Sequence, residues 1–162
     1  MGAPILEGKA LDKALQEKIA DLELSVEHLS LLQANDALCL LKNALAMPKL
    51  QFILRTSPCC GNPLLSTFDG VLPNGLSKIL NIELNDSQWK QASLPVQMGG
   101  LGVRSVCMLT HSAFLGSAAA TQSLQIVILP KSFHDTEDPM VSSALVSWKS
   151  LMHKDEPIDE IR

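Results

Sequence analysis

The chain has 162 residues, of which 46% are hydrophobic, 19% charged and 4% aromatic, with no Tyr and a formal net charge of −4. That length suits one domain and is short for two, and the apolar fraction excludes wholesale disorder. With so few aromatics the core must come from Leu, Ile, Val, Ala and Met, which favours helices over a β-sandwich.

The first well-marked element lies in "GKALDKALQEKIADLELSVEHLSLL", where Leu11, Leu15, Ile19, Leu22, Val26 and Leu29 recur every three or four residues. This spacing predicts an amphipathic helix that begins after Gly8 and ends near Leu32. A second helix is expected to start at Asn35 or Asp36, either of which can cap it, and to run until Pro48 breaks it. "PKLQFILRT" then predicts a shorter helix with Pro48 in its first turn, and "SPCCGNP" a turn-rich loop.

In "LLSTFDGVLPNGLSKIL" the residues Leu65, Phe68, Leu72, Leu76 and Ile79 keep helical spacing, but Gly70, Pro73 and Gly75 interrupt it. A proline inside a helix costs roughly 3 kcal/mol and a glycine roughly 1, so a broken or kinked helix is expected. "NDSQWKQA" predicts a short capped helix with Trp89 as its core anchor. After the glycines, "SVCMLTHSAFLGSAAATQSL" predicts an Ala- and Ser-rich helix packed tightly on a neighbour, followed by "QIVIL", either a brief strand or the end of that helix. "PKSFHDTEDP" is expected to be a loop, "PMVSSALVSWKSLMH" a last amphipathic helix and "KDEPIDEIR" a frayed acidic tail. The expected fold is all-α: an irregular bundle of six or seven helices with one Gly-rich turn.

No uninterrupted apolar run reaches the ~18 to 20 residues that span a bilayer. "MGAPILEGKALDK" lacks the pattern of a secretory signal, and Leu6 stands where myristoylation wants Ser or Thr, so an intracellular location, cytoplasm or nucleus, is expected. Cys39, Cys59, Cys60 and Cys107 form no C-x-x-C pair and are expected to be reduced thiols, mostly buried. His28, His111, His134 and His153 are scattered, and Asp135 and Asp138 beside Glu137 read as a solvated acidic patch, so neither a metal nor a cofactor is expected.

Charge is unevenly spread. Residues 1–29 hold six acids and three bases and residues 134–162 seven acids and three bases, which leaves the centre, 30–133, with four acids and seven bases. That centre carries Lys42, Lys49, Arg55, Lys78, Lys90, Arg104 and Lys131 and is a modest positive region between two acidic ends. A free-standing nucleic-acid binder would usually be more basic.

"SLPVQMGGLGVRSV", residues 93–106, sets Gly99, Gly100 and Gly102 just after Pro95 and just before Arg104. A dinucleotide fingerprint would want a third glycine where Ser105 stands, and a phosphate loop would want a lysine. The glycines are therefore expected to bend the backbone sharply into the next helix. The N–H groups at that helix start, with Arg104 beside them, are a candidate phosphate contact.

"DSQWKQASLPVQMGGLGVRSV" followed by "SAFLGSAA" resembles the C-terminal region of reverse transcriptases of non-long-terminal-repeat retrotransposons, in which L-P-x-x-x-G-G-L-G-[IV]-R follows the polymerase core. "GAPI" at residues 2–5, "LSLLQANDALCLLKNALAMPKLQFILRTSP" and the "FD" of Phe68 and Asp69 extend the likeness over about four-fifths of the chain. The resemblance implies a thumb-like helical region over 1–92, the Gly-rich loop and following helix over 93–130, and a loop, last helix and acidic tail over 131–162, all in one compact domain. It also implies contact with the backbone of a template–primer duplex, RNA–DNA or DNA, with Lys42, Lys49, Arg55 and Arg104 as candidates. Polymerisation needs palm aspartates that hold metal ions, usually as Asp-Asp, and this sequence has no such dipeptide; the chain is expected to be non-catalytic. The alternatives are a helical module that binds a protein partner or itself, with no membrane, and a fragment without function.

Overall fold

Leu11, Leu15, Ile19, Leu22, Val26 and Leu29 form one buried stripe along α1 (Lys9–Leu29) in the computed structural model, which describes residues 8–130 and 138–152. The other helices are α2 (Ala34–Leu40), α3 (Met47–Thr56), α4 (Pro63–Leu80), α5 (Asp86–Ser93), α6 (Val106–Ile128) and α7 (Pro139–Met152). The described residues contain no strand, and the chain is an all-α bundle. Residues 131–137, most of the loop expected over 130–139, and residues 153–162, with the acidic tail expected over 154–162, lie outside the described residues, and so do Asp135 and Glu137 of the acidic patch.

α1 packs most extensively on α4, and α3 on α6. Between these pairs lies a core built from Leu15, Leu22, Leu41, Leu50, Leu54, Phe68, Leu72, Val103 and Val106, each almost fully buried. Asn62 links the first pair. Its Oδ1 accepts from the N–H of Leu64 at 3.0 Å and caps α4, while its Nδ2 donates to Asp12 of α1 at 2.9 Å.

The start of α2 differs from expectation. Gln33, not Asn35 or Asp36, precedes the helix, and no side chain caps it. The break ahead of Pro48 also falls earlier. Residues 41–45 widen into a π turn, in which the N–H of Ala46 reaches the carbonyl of Leu41 at 2.8 Å, and the backbone then leaves helical geometry at Ala46. The proline ring would clash with the carbonyl four residues back, so the chain adjusts before Pro48 and restarts with it in the first turn of α3. By length and composition the run Ala34–Thr56 is apolar enough to cross a membrane. Here its Ala37, Leu41, Ala46, Leu50, Ile53 and Leu54 are buried in the core.

The expected break at 70–75 does not occur. α4 is continuous through Gly70, Pro73 and Gly75. The reason is burial: Leu65, Phe68, Leu72, Leu76 and Ile79 are all in the interior, and at roughly 1.5–3 kcal/mol each they together outweigh the local penalty. Gly75 is itself a contact point, because a Cβ there would lie 2.7 Å from Cγ2 of Val26 on α1.

Trp89 is half-buried against the core rather than its anchor, and Ala92 is the buried residue of α5. "QIVIL" continues α6 as helix through Ile128. The tight packing expected of α6 holds only for its first half, where Val106, Thr110 and Phe114 are buried. Gly75→Ala is expected to lose about 1–2 kcal/mol of stability despite alanine's better helix propensity, because β-branched Val26 cannot move aside. Combined with Val26→Ala it should recover most of that loss, and a double-mutant cycle by urea denaturation showing simple additivity would contradict this close contact.

Candidate nucleic-acid interface

The segment 93–106 folds back onto the end of α5. Leu94 N–H bonds to the carbonyl of Gln91 at 3.1 Å, a short 3₁₀ turn covers Val96–Met98, and the N–H groups of Gly99 and Gly100 bond to Val96 and Pro95 at 3.0 and 3.2 Å. Leu101 and Gly102 then donate to the carbonyls of Ala92 and Leu94 at 3.0 and 2.9 Å, so the returning chain satisfies the open end of α5. Gly99 and Gly102 have φ of 81° and 76°, which favour glycine. Gly100 is required for a different reason. Any Cβ there would run into the carbonyl of Leu94 and lie 2.7 Å from the carbonyl oxygen of Gln91. The expected bend is therefore present, and it delivers Val103 fully buried into the core.

At the far side of the bend α6 begins, and its exposed N–H groups are already taken. Asp69, halfway along α4, accepts from the N–H of Val106 at 2.7 Å, the N–H of Cys107 at 3.0 Å and the hydroxyl of Ser105 at 2.6 Å. The Ser105 oxygen in turn accepts from the N–H of Met108 at 3.4 Å. The phosphate contact expected at this helix start is thereby corrected: the anion at the positive end of α6 is the protein's own carboxylate. Burial, followed by smaller effects that include the neighbouring Asp69 charge, raises the Cys107 thiol above its ordinary value, so Cys107 stays protonated at neutral pH. Of the four cysteines, Cys59 is buried, Cys60 and Cys107 are half-buried, and Cys39 is exposed.

The four candidate basic residues fall in separate places. Lys42 lies in the π turn, and its Cε and Nζ would each sit 2.9 Å from a Cβ on Gly102, so its stem packs against the bend. Lys49 turns toward α1, where its ammonium is 4.0 Å from Asp21 and 3.4 Å from the Ser25 hydroxyl. Arg104 is exposed just before α6. Neither Arg55 nor Arg104 enters an ion pair among the described residues.

Arg55 lines a depression. Between α3 and α6 run two neighbouring grooves of about 310 and 500 Å³ that share Gln51, Arg55 and Ser117. Met47 and Gly116 line the first; Phe52 and Thr56 line the second. Phe52 is 59% exposed, one turn before Arg55 on the same helix. The grooves thus combine an amide, hydroxyls, an accessible aromatic ring and a guanidinium that has no ion-pair partner among the described residues; a guanidinium with an amide beside it is chemistry suited to an anion such as phosphate. Sequence reasoning missed Gln51, Phe52 and Ser117, and their only signal was an aromatic and an arginine three apart on a short helix. Among the described residues no group of three His, Cys, Asp or Glu is placed to hold a metal.

Compared with known families, curated proteins and solved structures, the chain matches none.

Two substitutions separate the bend from a ligand loop. Gly100→Ala is expected to cost about 3 kcal/mol, because backbone rather than a flexible side chain fills the space. Gly70→Ala, in a helical position where a Cβ meets nothing within 4 Å, should gain up to about 1 kcal/mol. Equal thermal shifts for the two would contradict the packing described. Asp69→Ala should cost about 2–3 kcal/mol by the same denaturation assay, since it strands N–H groups that a charged acceptor now holds.

Proposed function

We propose that this chain is a non-catalytic helical module that rests on nucleic-acid backbone, in the manner of the C-terminal region of a non-long-terminal-repeat retroelement reverse transcriptase. The observation that carries the reading is the α3–α6 groove, where Arg55, which has no ion-pair partner among the described residues, stands beside exposed Phe52 and Gln51. The ordered sequence features "LPVQMGGLGVRSV" and "SAFLGSAA" support it, as does the surplus of basic residues in the central part of the chain. Each element has a physical task in such contact. Arg55 pairs with a phosphate, Phe52 offers an apolar face to the adjoining sugar, and Lys42 and Arg104 add charge that is not base-specific. Lys49 contributes less, because Asp21 and Ser25 hold its ammonium.

Binding of this kind is governed by counterion release, so it weakens steeply with salt and shows little sequence preference. Titration of a labelled RNA–DNA hybrid with the purified chain at about 20 and 150 mM salt is the direct test. Arg55→Ala is expected to weaken binding several-fold and to reduce the salt slope by about 1, with Lys49→Ala giving the smaller effect. Absence of binding at the lower salt overturns the proposal.

A further inference from the structure

Arg55 is the one charged residue among the described residues that line the two depressions between α3 and α6. A surface that reads phosphates alone is built from several cations, whereas the polar lining beside Arg55 is neutral. Its hydroxyls are not equivalent. Thr56 donates to the Phe52 carbonyl at 2.8 Å and Ser112 to the Leu109 carbonyl at 3.0 Å, so both spend their donors on their own helices. The side-chain amide of Gln51 and the hydroxyl of Ser117 make no hydrogen bond among the described residues, and each lines both depressions. Gln51 stands four residues before Arg55, which puts the two on one face of α3, about 6 Å apart along its axis. Ser117 meets them from α6.

We infer that this groove takes the ribose of an RNA strand: with Arg55 on a phosphate, Gln51 and Ser117 bond the 2′-hydroxyl of the adjoining sugar. The inference rests on the nucleic-acid reading of the groove and narrows it to one kind of strand. An amide and a hydroxyl both donate and accept, and so does a 2′-hydroxyl, while deoxyribose offers neither function at that carbon. The sugar is bonded directly to the phosphate and falls within a helical turn of Arg55, closer than any base edge. Gly116 leaves room for it. A Cβ at that helical position would meet nothing within 4 Å, so packing does not call for glycine there, and the bare backbone lets a ligand approach the groove wall closely.

Titration of the full chain with two labelled duplexes of one sequence tests this: an RNA–DNA hybrid, and the same hybrid with a 2′-fluoro RNA strand. The fluoro sugar keeps the ribose pucker but has no hydrogen to donate, which separates the hydroxyl from the shape of the helix. At about 20 mM salt the hybrid should bind about fivefold tighter than its fluoro form, the yield of one neutral hydrogen bond. Because that bond involves no full charge, the ratio should persist at about 150 mM while both affinities fall. Gln51→Leu should bring the ratio close to 1. Gly116→Leu, which fills the groove without entering the core, should weaken both complexes several-fold with no loss of melting temperature. Equal affinity for the two strands overturns the inference, and if Arg55→Ala still weakens both complexes, the nucleic-acid reading survives that failure. A ratio that Gln51→Leu leaves unchanged also overturns it, since another surface would then read the sugar. Absence of binding to either duplex overturns the inference and the reading together.

Discussion

The arrangement of this protein turns on the carboxylate of Asp69. It sits in the middle of α4, a helix whose own position is set by its packing on α1, and it receives the first two N–H groups of α6 and the hydroxyl of Ser105. A helix start offers unpaired donors and a partial positive charge, and a buried or half-buried start must find acceptors. Here one side chain supplies them from another helix. The bond is therefore tertiary as well as local, and it fixes where α6 leaves the bend and how it meets α3. The groove that holds Arg55 follows from that placement.

The glycine bend and the carboxylate act together. Gly100 lets the backbone pass against the Leu94 carbonyl, Gly102 adopts a left-handed conformation beside the Lys42 stem, and Val103 drops into the core directly after. Without that route the chain could not leave α5 and present Ser105 and Val106 to Asp69. The motif that looks like a ligand loop in the sequence is a structural hinge point whose polar groups are satisfied within the chain. The surface left open for a ligand is then the α3–α6 groove and not the bend.

Much of this was legible from sequence. The α1 stripe, the short capped helix that Asn85 opens and the bend at the glycines follow from local rules of spacing and capping. The continuity of α4 was not, because the penalties of Pro73 and Gly75 are local while the compensating contacts with α1, among them Val26, come from far along the chain. The role of Asp69 was hidden for the same reason: its partners lie some 36–38 positions away. The exposure of the end of α6 was misjudged because a run of Ala, Ser and aliphatic residues has the composition of a buried helix, and composition does not say whether a neighbour reaches that far.

The account stands or falls on the occupied start of α6. Amide hydrogen exchange of the intact protein, followed by NMR, reads it without any substitution. Val106 and Cys107 amides should exchange as slowly as those in the middle of α1, and far more slowly than Asn35 in the first turn of α2, where no side chain caps the helix. If Val106 and Cys107 instead exchange at the rate of that uncapped turn, Asp69 does not hold them, and the placement of α6 described here is wrong.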